Sequence, residues 1–503
     1  MLDHEEMDAV QQLEFIDDLQ RLGISYLFED KINQILNHIY DEDYFKSYQR
    51  NNLYSTALGF RLLRQHGFSV SQDVFDIFKN ELGEFMPSLE DDTKGLLELY
   101  EASFLLTQAE NTLDLAREFA TNLLKKKVED EGNIGINIDH EHLSLLVHSA
   151  LEIPLQWRIP RLHARWCIDT YGMRLDMNPI VLELAKLDFN IVQASQLEEV
   201  KHILSWWKQT RLPEKLSFAR DMVVEDYIMP ISELFEPQYE YTRIMITKVN
   251  AFITLIDDIF DVYGTLEELR LFNNVIQRWD IEVMDKLPNY MQICFLALNN
   301  FVNEIAYDVL KEQDFLIIPH LRKSWTDLCI TYLIEAEWYS KGYTPTLEEY
   351  MSNGWISIAA HVILTHAFFS MTNPIEKEVV QSLYKYHHIV RYAAIILRFA
   401  NDLGTSVEEL RRGDVPKSIQ CYMNETGASR EEARQYIRFL MCESWKKINE
   451  ERFADSPFQP DFVRFAFYIG RMAQYWYRHE NGRGIHYAHT KDYIIRFLFE
   501  PIL

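Results

Sequence analysis

VNAFITLIDDIFDVYGT, the segment from Val249 to Thr265, is a mostly apolar run that leads into three carboxylates at Asp257, Asp258 and Asp261. In an α-helix, which turns by about 100° per residue, Asp257 and Asp261 lie one turn apart on a single face. Like charges at this spacing repel each other, and a divalent cation that bridges them removes the repulsion. Oxygen ligands suit a hard ion, and Mg²⁺ is typically bound through one or two carboxylates together with substrate phosphates. The segment therefore predicts a helix that ends in a Mg²⁺ site, with an exposed acidic helix end as the alternative.

Positions around these carboxylates narrow the interpretation. Asn250 lies two turns before Asp257 on the same face and extends the polar edge of the site into an otherwise mostly apolar wall. An EF-hand is excluded, because loop positions 3 and 6, counted from Asp257, are Ile259 and Val262, where a Ca²⁺ loop needs a ligand and a glycine.

The composition favours a large helical protein with an acidic surface. The chain has 503 residues, enough for about two to three domains with ample core. High aromatic content (13%) with only 17 glycines and 15 prolines favours long helices over turn-rich β structure. The net charge of −27 argues against a nucleic-acid partner, since phosphate binding needs clustered Lys and Arg. An anionic substrate would need local basic groups or metal ions to hold it.

Cysteine usage and apolar runs bear on the compartment. The five cysteines form no CxxC pair and are predicted to be reduced thiols in a core. No apolar run reaches about 18 residues, so no membrane span is expected. The N-terminal sequence MLDHEEMDAVQQLEF is acidic and helix-patterned, unlike a signal or transit peptide, and we expect any targeting segment to have been removed.

Helical patterns fill the chain, and we predict two all-helical domains, 1–190 and 191–503. Acidic pairs in the first domain, such as Asp17/Asp18 and Asp91/Asp92, are predicted to be solvated faces or helix N-termini. That domain has no DxDD motif, the pattern of an acid that protonates an alkene, and it is expected to be structural. In the second domain, Asn353-Gly354 is predicted to interrupt the helical pattern just before WISIAAHVILTHAFF, an all-round apolar and therefore central helix. Three capping boxes mark helix starts: Thr265–Glu268, Thr346–Glu349 and Ser429–Glu432.

A second oxygen-rich stripe lies in LRFANDLGTSVEELRRGDVPK, residues 397–417. Asn401, Thr405 and Glu409 recur every fourth residue, and they offer an amide, a hydroxyl and a carboxylate in one line. Such a stripe alone is usually a solvated face, but paired with the Asp257/Asp261 site it suits a second Mg²⁺ position. Basic residues stand nearby at Arg398 and Lys417, as expected where a diphosphate bridges metal ions and cations. Arg220, in FARDMVVED, is a further candidate.

These motifs resemble those of plant class I terpene synthases, most closely the monoterpene synthase branch of flowering plants. DDIFD and NDLGTSVEE carry the resemblance, together with RGDVPK, FEPQYEY, GYTPTLEEY and QRWD, and it runs from Leu13 to Leu503. The two metal motifs are strongly specific as a pair and weak singly. The resemblance implies an N-terminal helical barrel-like domain and a C-terminal helical domain that binds metal and catalyses the reaction.

The resemblance also implies roles for individual residues. Three Mg²⁺ ions are expected, with Mn²⁺ as a possible substitute, bound by Asp257, Asp261, Asn401, Thr405 and Glu409. Asp258 and Asp402 are expected to support these ligands. Arg220, Arg398 and Lys417 are expected to hold the diphosphate. Asn250, Met229 and Leu397 are expected to line the pocket and control the product, with Trp325, Tyr332, Trp338 and Phe368 as candidate aromatic wall residues and Glu335 behind the metals.

The sequence departs from the family pattern at several points. The usual RDR is Arg220-Asp221-Met222, and Met229 stands where an aromatic residue is common. Both changes weaken the diphosphate recapture and cation–π stabilisation that ring closure needs. HENGRG, residues 479–484, takes the place of a lid loop and has Asn481 at the usual Asp, and we expect it to close over substrate. The tandem-arginine and tryptophan motif of the family is absent from the chain.

We therefore predict a Mg²⁺-dependent lyase that ionises a prenyl diphosphate, with geranyl diphosphate as the substrate. An acyclic alcohol such as linalool or geraniol, or an acyclic olefin, is the expected product. The alternatives are a cyclic monoterpene synthase, a sesquiterpene synthase that uses farnesyl diphosphate, a chain-elongating prenyltransferase (which would want a second DDxxD) and an inactive helical scaffold. We expect a monomer or weak homodimer in the plastid stroma, with the cytosol as the alternative location.

Overall fold

The computed structural model describes residues 7–41, 52–130, 138–412, 415–478 and 488–503, with the backbone alone at 138–141, 406–412 and 488–493. Within these ranges the protein is all-α, and the sole β pairing is an isolated bridge between Lys79 and Phe85. The predicted all-helical fold is confirmed.

The chain forms two compact units, each assembled from segments that are distant in sequence. One unit consists of Met1–Ile191, Trp445–Ser456 and Pro501–Leu503, and the other of Val192–Ser444 and Pro457–Glu500. The contiguous division into 1–190 and 191–503 stays a prediction.

The helices are numbered in chain order. The first eight helices are α1 (Ala9–Arg21), α2 (Glu29–Asp41), α3 (Leu53–Gln65), α4 (Thr93–Ser103), α5 (Asn111–Asp130), α6 (Ile138–Glu152), α7 (Pro160–Tyr171) and α8 (Pro179–Thr210). The remaining helices are α9 (Leu212–Lys215), α10 (Val223–Ile231), α11 (Glu240–Asp258), α12 (Leu266–Arg278), α13 (Asn289–Gln313), α14 (Ile318–Lys341), α15 (Leu347–Ser357), α16 (Ala360–Met371), α17 (Lys377–Tyr384), α18 (His388–Arg412), α19 (Ser418–Thr426), α20 (Arg430–Glu450), α21 (Pro460–Trp476) and α22 (Ala488–Phe499).

A fully buried arginine organises the core of the first unit. Arg61 on α3 places Nη2 2.9 Å from Asp17 Oδ1 and Nε 2.8 Å from Glu98 Oε2. Asp17 is itself only 9% exposed, so its prediction as part of a solvated face was wrong. Arg21, one turn later on α1, also pairs with Asp17 at 2.7 Å, whereas the buried Arg61 comes from a different helix, which the local acidic pattern could not reveal. Asp92 does cap a helix, as predicted, because its Oδ1 accepts from the backbone N–H of Gly95 at 2.8 Å.

In the second unit the three predicted capping boxes are confirmed. The threonines before α12 and α15 and the serine before α20 each exchange hydrogen bonds with the glutamate three residues later. Helix α16 is central, with all residues from Ala360 to Phe369 buried, as its apolar pattern predicted. The break before it was misplaced: Asn353 and Gly354 lie inside α15, and the chain turns instead at Ala359, whose φ is 63°.

The five cysteines are free, as predicted. Two helical stretches within the described residues, Asn289–Gln313 and Leu347–Met371, are long and apolar enough to cross a membrane by length and composition. In the more apolar stretch, Leu347–Met371, 72% of an 18-residue apolar window is buried inside the fold, as in a core helix of a globular protein. These stretches are therefore weak evidence for a membrane span.

Candidate metal-binding active site

The three carboxylates lie where helix α11 ends and a π turn follows. The α-helix ends at Asp258, and Ile259–Tyr263 form a π turn closed by a 2.8 Å hydrogen bond from Gly264 N–H to the Ile259 carbonyl. The predicted continuous α-helix through Asp261 was therefore wrong in this detail. Such turns are frequent at functional sites. Asp261 is exposed at this turn.

Arg220 lies directly against the first two carboxylates. Its Nη2 donates to Asp257 Oδ2 at 2.6 Å and its Nε to Asp258 Oδ1 at 2.9 Å, while its backbone N–H donates to Asp258 Oδ2 at 2.8 Å. The Asp258 side chain is 4% exposed, so it anchors the segment before α10, whereas the Asp257 side chain is partly buried, with 31% exposure. The predicted role of Arg220 at the diphosphate stays a prediction, and the structure shows this arginine as the counter-ion of Asp257.

The electrostatics of Asp257 favour a bound cation. Burial raises the pKa of Asp257, and the neighbouring Asp258 adds to the rise, while the charges of Arg220 and Lys417 oppose it. A carboxylate in these surroundings gains most when a cation approaches.

The second predicted metal stripe lies on α18. Thr405 Oγ1 donates to the backbone carbonyl of Asn401 at 2.8 Å, and Arg398 Nη2 donates to Asn401 Oδ1. The backbone of Glu409 lies on the same helix, and its side chain falls outside the described residues.

The oxygen donors of Asp257 and Asp261, together with those of the stripe on α18, fit a hard metal ion that is bound partly by substrate. Within the described side chains no group of three His, Cys, Asp or Glu converges into a site that could hold a metal by itself. The donors present are two carboxylates, Asp257 and Asp261, with an amide and a hydroxyl from α18. Oxygen donors of this kind suit Mg²⁺ completed by phosphate oxygens rather than an all-protein cage.

Asp402 holds the basic side of the site in place. This carboxylate is fully buried and accepts from Arg398 Nε at 2.8 Å, from the Ser418 backbone N–H at 3.1 Å, and from the Tyr350 hydroxyl at 2.9 and 3.1 Å. It thereby ties α15, α18 and the start of α19 together beside Lys417. That Asp402 supports the metal ligands stays a prediction. Its observed contacts position Arg398 and the start of α19.

Two residues of this network were missed at the sequence level. Tyr350 lies within the quoted segment GYTPTLEEY, but no local signal marks its hydroxyl as the partner of a carboxylate 52 residues later. Gly354 was read as a helix breaker, whereas an added Cβ there would lie 3.3 Å from Arg398 Cδ, so its small size leaves room for that arginine.

The Asn250 side chain is held by two acceptors on α10. Asn250 Nδ2 donates to the backbone carbonyl of Asp226 at 3.3 Å and approaches Met229 Sδ at 3.8 Å. Both partners are acceptors, which fixes the orientation of the amide. The amide is thus paired with a backbone carbonyl on the neighbouring helix α10. Leu397 is buried on α18 one turn before Asn401.

The candidate aromatic wall residues divide between site and core. Tyr332 lies near the metal carboxylates: burial raises its pKa well above the ordinary value, and Asp257 and Asp261 contribute. Trp325 is fully buried and donates to His366 Nε2 at 3.3 Å, and Phe368 packs on Phe458 and Phe462. Those two belong to the core.

The remaining site predictions concern Trp338, Glu335 and the lid segment with Asn481. Trp338 packs loosely against Tyr343, and Glu335 is buried and accepts from Asn353 Nδ2 at 2.9 Å. The predicted lid at 479–484, with Asn481, lies outside the described residues.

Comparisons with known proteins agree with this geometry. Residues 208–447 match the model for "Terpene synthase family, metal binding domain", and residues 1–151 match "Terpene synthase, N-terminal domain". The chain is 55% identical to a (−)-alpha-terpineol synthase of Vitis vinifera over 98% of the chain and 82% of the relative. It is 53% identical to a chloroplastic myrcene synthase of Quercus ilex over 100% of the chain and 83% of the relative.

Solved structures give the same picture. A limonene synthase with 2-fluorolinalyl diphosphate superposes with a TM-score of 0.95 at 52% identity, covering 99% of the chain and 92% of that structure. An isoprene synthase from grey poplar, in complex with three Mg²⁺ ions and dimethylallyl-S-thiolodiphosphate, superposes with a TM-score of 0.93 at 40% identity, covering 100% and 94%.

Proposed function

The chain belongs to the terpene synthase family, whose members are lyases acting on prenyl diphosphates, and on that premise we propose that it converts geranyl diphosphate into a monoterpene with Mg²⁺. The observation that carries the proposal is the ion pair of Arg220 with Asp257, together with Arg398 held at Asn401. Acidic and basic groups interleaved in this way suit a diphosphate held between metal ions and side-chain cations.

The roles of the residues follow from their contacts. Asp257 and Asp261 on one side, and Asn401, Thr405 and Glu409 on the other, would hold the Mg²⁺ ions. When bound, Mg²⁺ neutralises the charge that develops on the diphosphate leaving group. Arg398 and Lys417 would bind the diphosphate oxygens, and the same anion would offer Arg220 an alternative partner to Asp257. Asp402 fixes Arg398 throughout, because its carboxylate also holds Tyr350 and the start of α19.

The pocket walls decide the fate of the carbocation. Apolar side chains such as Leu397 exclude bulk water, while Asn250 and Met229 supply polar and thioether contacts where an aromatic face would stabilise a cyclising cation. Early termination follows, and we propose an acyclic alcohol as the main product, with an acyclic olefin second. The relatives include synthases of both a cyclic alcohol and an acyclic olefin, so a cyclic product is the competing outcome.

The deciding experiment offers the purified protein geranyl, farnesyl and dimethylallyl diphosphates separately and in competition. Gas chromatography with mass detection then identifies the products with Mg²⁺, with Mn²⁺, and after chelation. The expected result is metal-dependent turnover with a preference for geranyl diphosphate and mainly acyclic products. A preference for farnesyl or dimethylallyl diphosphate contradicts the proposed substrate, and a mainly cyclic profile contradicts early termination alone.

We also propose a plastid location and a monomer or weak homodimer. The chloroplastic myrcene synthase among the relatives supports the location. A fluorescent fusion expressed from the complete native coding sequence tests the compartment, with the cytosol as the alternative outcome. Light scattering after size exclusion at two protein concentrations tests the oligomeric state.

A further inference from the structure

Asp226 is a buried carboxyl group on α10 that no predicted role uses. The residue is 6% exposed, and its Oδ2 makes no hydrogen bond to any described residue. Burial raises the pKa of Asp226 well above its ordinary value, and the nearby Glu225 and Asp221 add to the rise while Arg220 opposes it. A buried carboxyl group without a partner lowers stability, so a position that serves packing alone would favour an apolar side chain.

The position of Asp226 is fixed by its neighbours on two sides. Its backbone carbonyl receives Asn250 Nδ2 at 3.3 Å, and Met229, one turn further along α10, contacts the same amide. Helix side chains lean towards the helix N-terminus, so the Asp226 carboxyl lies on the Arg220 side of Asn250. Arg220 in turn binds Asp257.

These contacts define the position of Asp226 along the axis of α11. Asn250 and Asp257 are two turns apart on α11, roughly 10 Å along the helix axis. The Asp226 carboxyl, between the Asn250 contact and Arg220, therefore lies between the metal end of the pocket and its polar wall. Under the proposed function, a substrate whose diphosphate is held at Arg220 and Asp257 would have its carbon chain at this level.

A neutral carboxyl group at this point can hold water beside a carbocation without consuming the cation. An ionised carboxylate would attack the cation and form an ester, whereas the protonated acid favoured by burial is a much weaker nucleophile. The carbonyl oxygens of Asp226 and Asn250 are both hydrogen-bond acceptors. A water molecule that donates its two protons to them presents a lone pair to the cation.

We propose that Asp226 is a product-determining residue that, together with Asn250, holds the water captured by the carbocation. The proposal rests on the function proposed above. In the capture step the water oxygen forms a C–O bond to the cationic carbon, and one O–H bond of that water breaks. The proton passes to the pyrophosphate released at ionisation. The products are a terpene alcohol and protonated pyrophosphate, with no change in oxidation state.

The test compares wild type with Asp226→Leu, Asp226→Asn and the neighbouring control Glu225→Gln, using geranyl diphosphate in ¹⁸O-labelled water. We expect the label in the wild-type alcohol. Asp226→Leu should lower the alcohol-to-hydrocarbon ratio about tenfold, the loss expected for one hydrogen bond, while total pyrophosphate release stays within about twofold. Asp226→Asn keeps a carbonyl acceptor and should retain the alcohol, and Glu225→Gln should leave the ratio unchanged.

Thermal melting of each variant separates product control from damage to the fold. Since the buried carboxyl has no partner to lose, Asp226→Leu should melt at or above the wild-type temperature. If that variant is unstable, Asp226→Met supplies a second apolar replacement. An unchanged alcohol ratio in a folded apolar variant, an unlabelled alcohol, or a wild type that releases hydrocarbon alone would overturn the role of Asp226. A wild type that forms no terpene from geranyl diphosphate contradicts the proposed function instead.

Discussion

The guanidinium of Arg220 donates to the carboxylate of Asp257 over 2.6 Å, so one of the proposed diphosphate ligands and one of the proposed metal ligands neutralise each other in this structure. A metal ion that binds Asp257 must compete with Arg220 for the same oxygen. A diphosphate removes the conflict, because it offers the arginine another anion. The pair thus couples metal binding to substrate binding.

Removal of Arg220 should therefore strengthen metal binding to the substrate-free protein. The Arg220 side chain is 49% exposed, so its pairing with Asp257 is solvent-screened and worth about 0.2–1 kcal/mol. Titration calorimetry should show that Arg220→Gln binds Mg²⁺ about 1.5- to 5-fold more tightly. Arg270→Gln is the matched control, because Arg270 is 50% exposed and pairs with Glu337 away from the site. Equal or weaker Mg²⁺ binding by Arg220→Gln would contradict the competition.

Loss of the Tyr350 hydroxyl should weaken diphosphate binding. Tyr350 donates to both oxygens of the buried Asp402, which holds Arg398. Tyr350→Phe should lower the free energy of unfolding by about 1.5–3 kcal/mol, as for a hydrogen bond to a charged group. Affinity for inorganic pyrophosphate with Mg²⁺ should fall with it, because Arg398 loses its fixed orientation.

The matched control for this change is Tyr343→Phe. The Tyr343 hydroxyl also donates to a carboxylate, that of Glu349, at 2.8 Å, but on the exposed surface. The Tyr343→Phe substitution should leave the affinity for pyrophosphate unchanged. If Tyr350→Phe lost stability but bound pyrophosphate as tightly as wild type, Asp402 would be a purely structural hub.

Truncation of the metal ligands should abolish turnover without unfolding the protein. Asp257→Ala and Glu409→Ala should each lose nearly all activity with Mg²⁺. The melting temperature of Asp257→Ala should change little, because its partner Arg220 is half-exposed and regains solvent. Asp308→Ala, which removes a surface carboxylate paired with Lys311, controls for charge. Near-normal turnover in either ligand variant would show that the metal assignment is wrong.

The buried His366 should make stability depend on pH on the acid side. Its Nδ1 lies 2.8 Å from the Val362 carbonyl and its Nε2 accepts from Trp325, so a proton on Nε2 would face another N–H. Burial lowers the pKa of His366 to about 4. The unfolded chain, with a pKa of about 6.5, binds the proton more readily, so this stability is complete above about pH 6.5 and is lost as pH falls towards 4, by at most about 3 kcal/mol.

Denaturant unfolding followed by tryptophan fluorescence between pH 4 and 7 measures this dependence. Substitution His366→Gln should flatten the pH profile, and the exposed His388→Gln should not. A profile with the same slope in His366→Gln and wild type would mean that other groups carry the acid sensitivity.

The sequence determined the helical class, the helix starts at Thr265, Thr346 and Ser429, and the central position of α16. These features are local: capping boxes and apolar periodicity involve residues within a turn or two of each other. The sequence also predicted that Asp257, Asn401 and Arg220 belong to one site, because the DDIFD, NDLGTSVEE and FARDMVVED segments resemble a known family pattern.

Only the tertiary structure decided which of these groups pair with each other. The partnership of Asp402 with Tyr350, the burial of Asp17 against Arg61, and the contact of Asn250 with Asp226 all join residues 24 to 52 positions apart. Charge and hydrogen-bond complementarity across helices has no period along the chain, so no local pattern reports it. For the same physical reason the sequence placed Asp17 on a solvated face and overlooked the unpartnered carboxyl of Asp226.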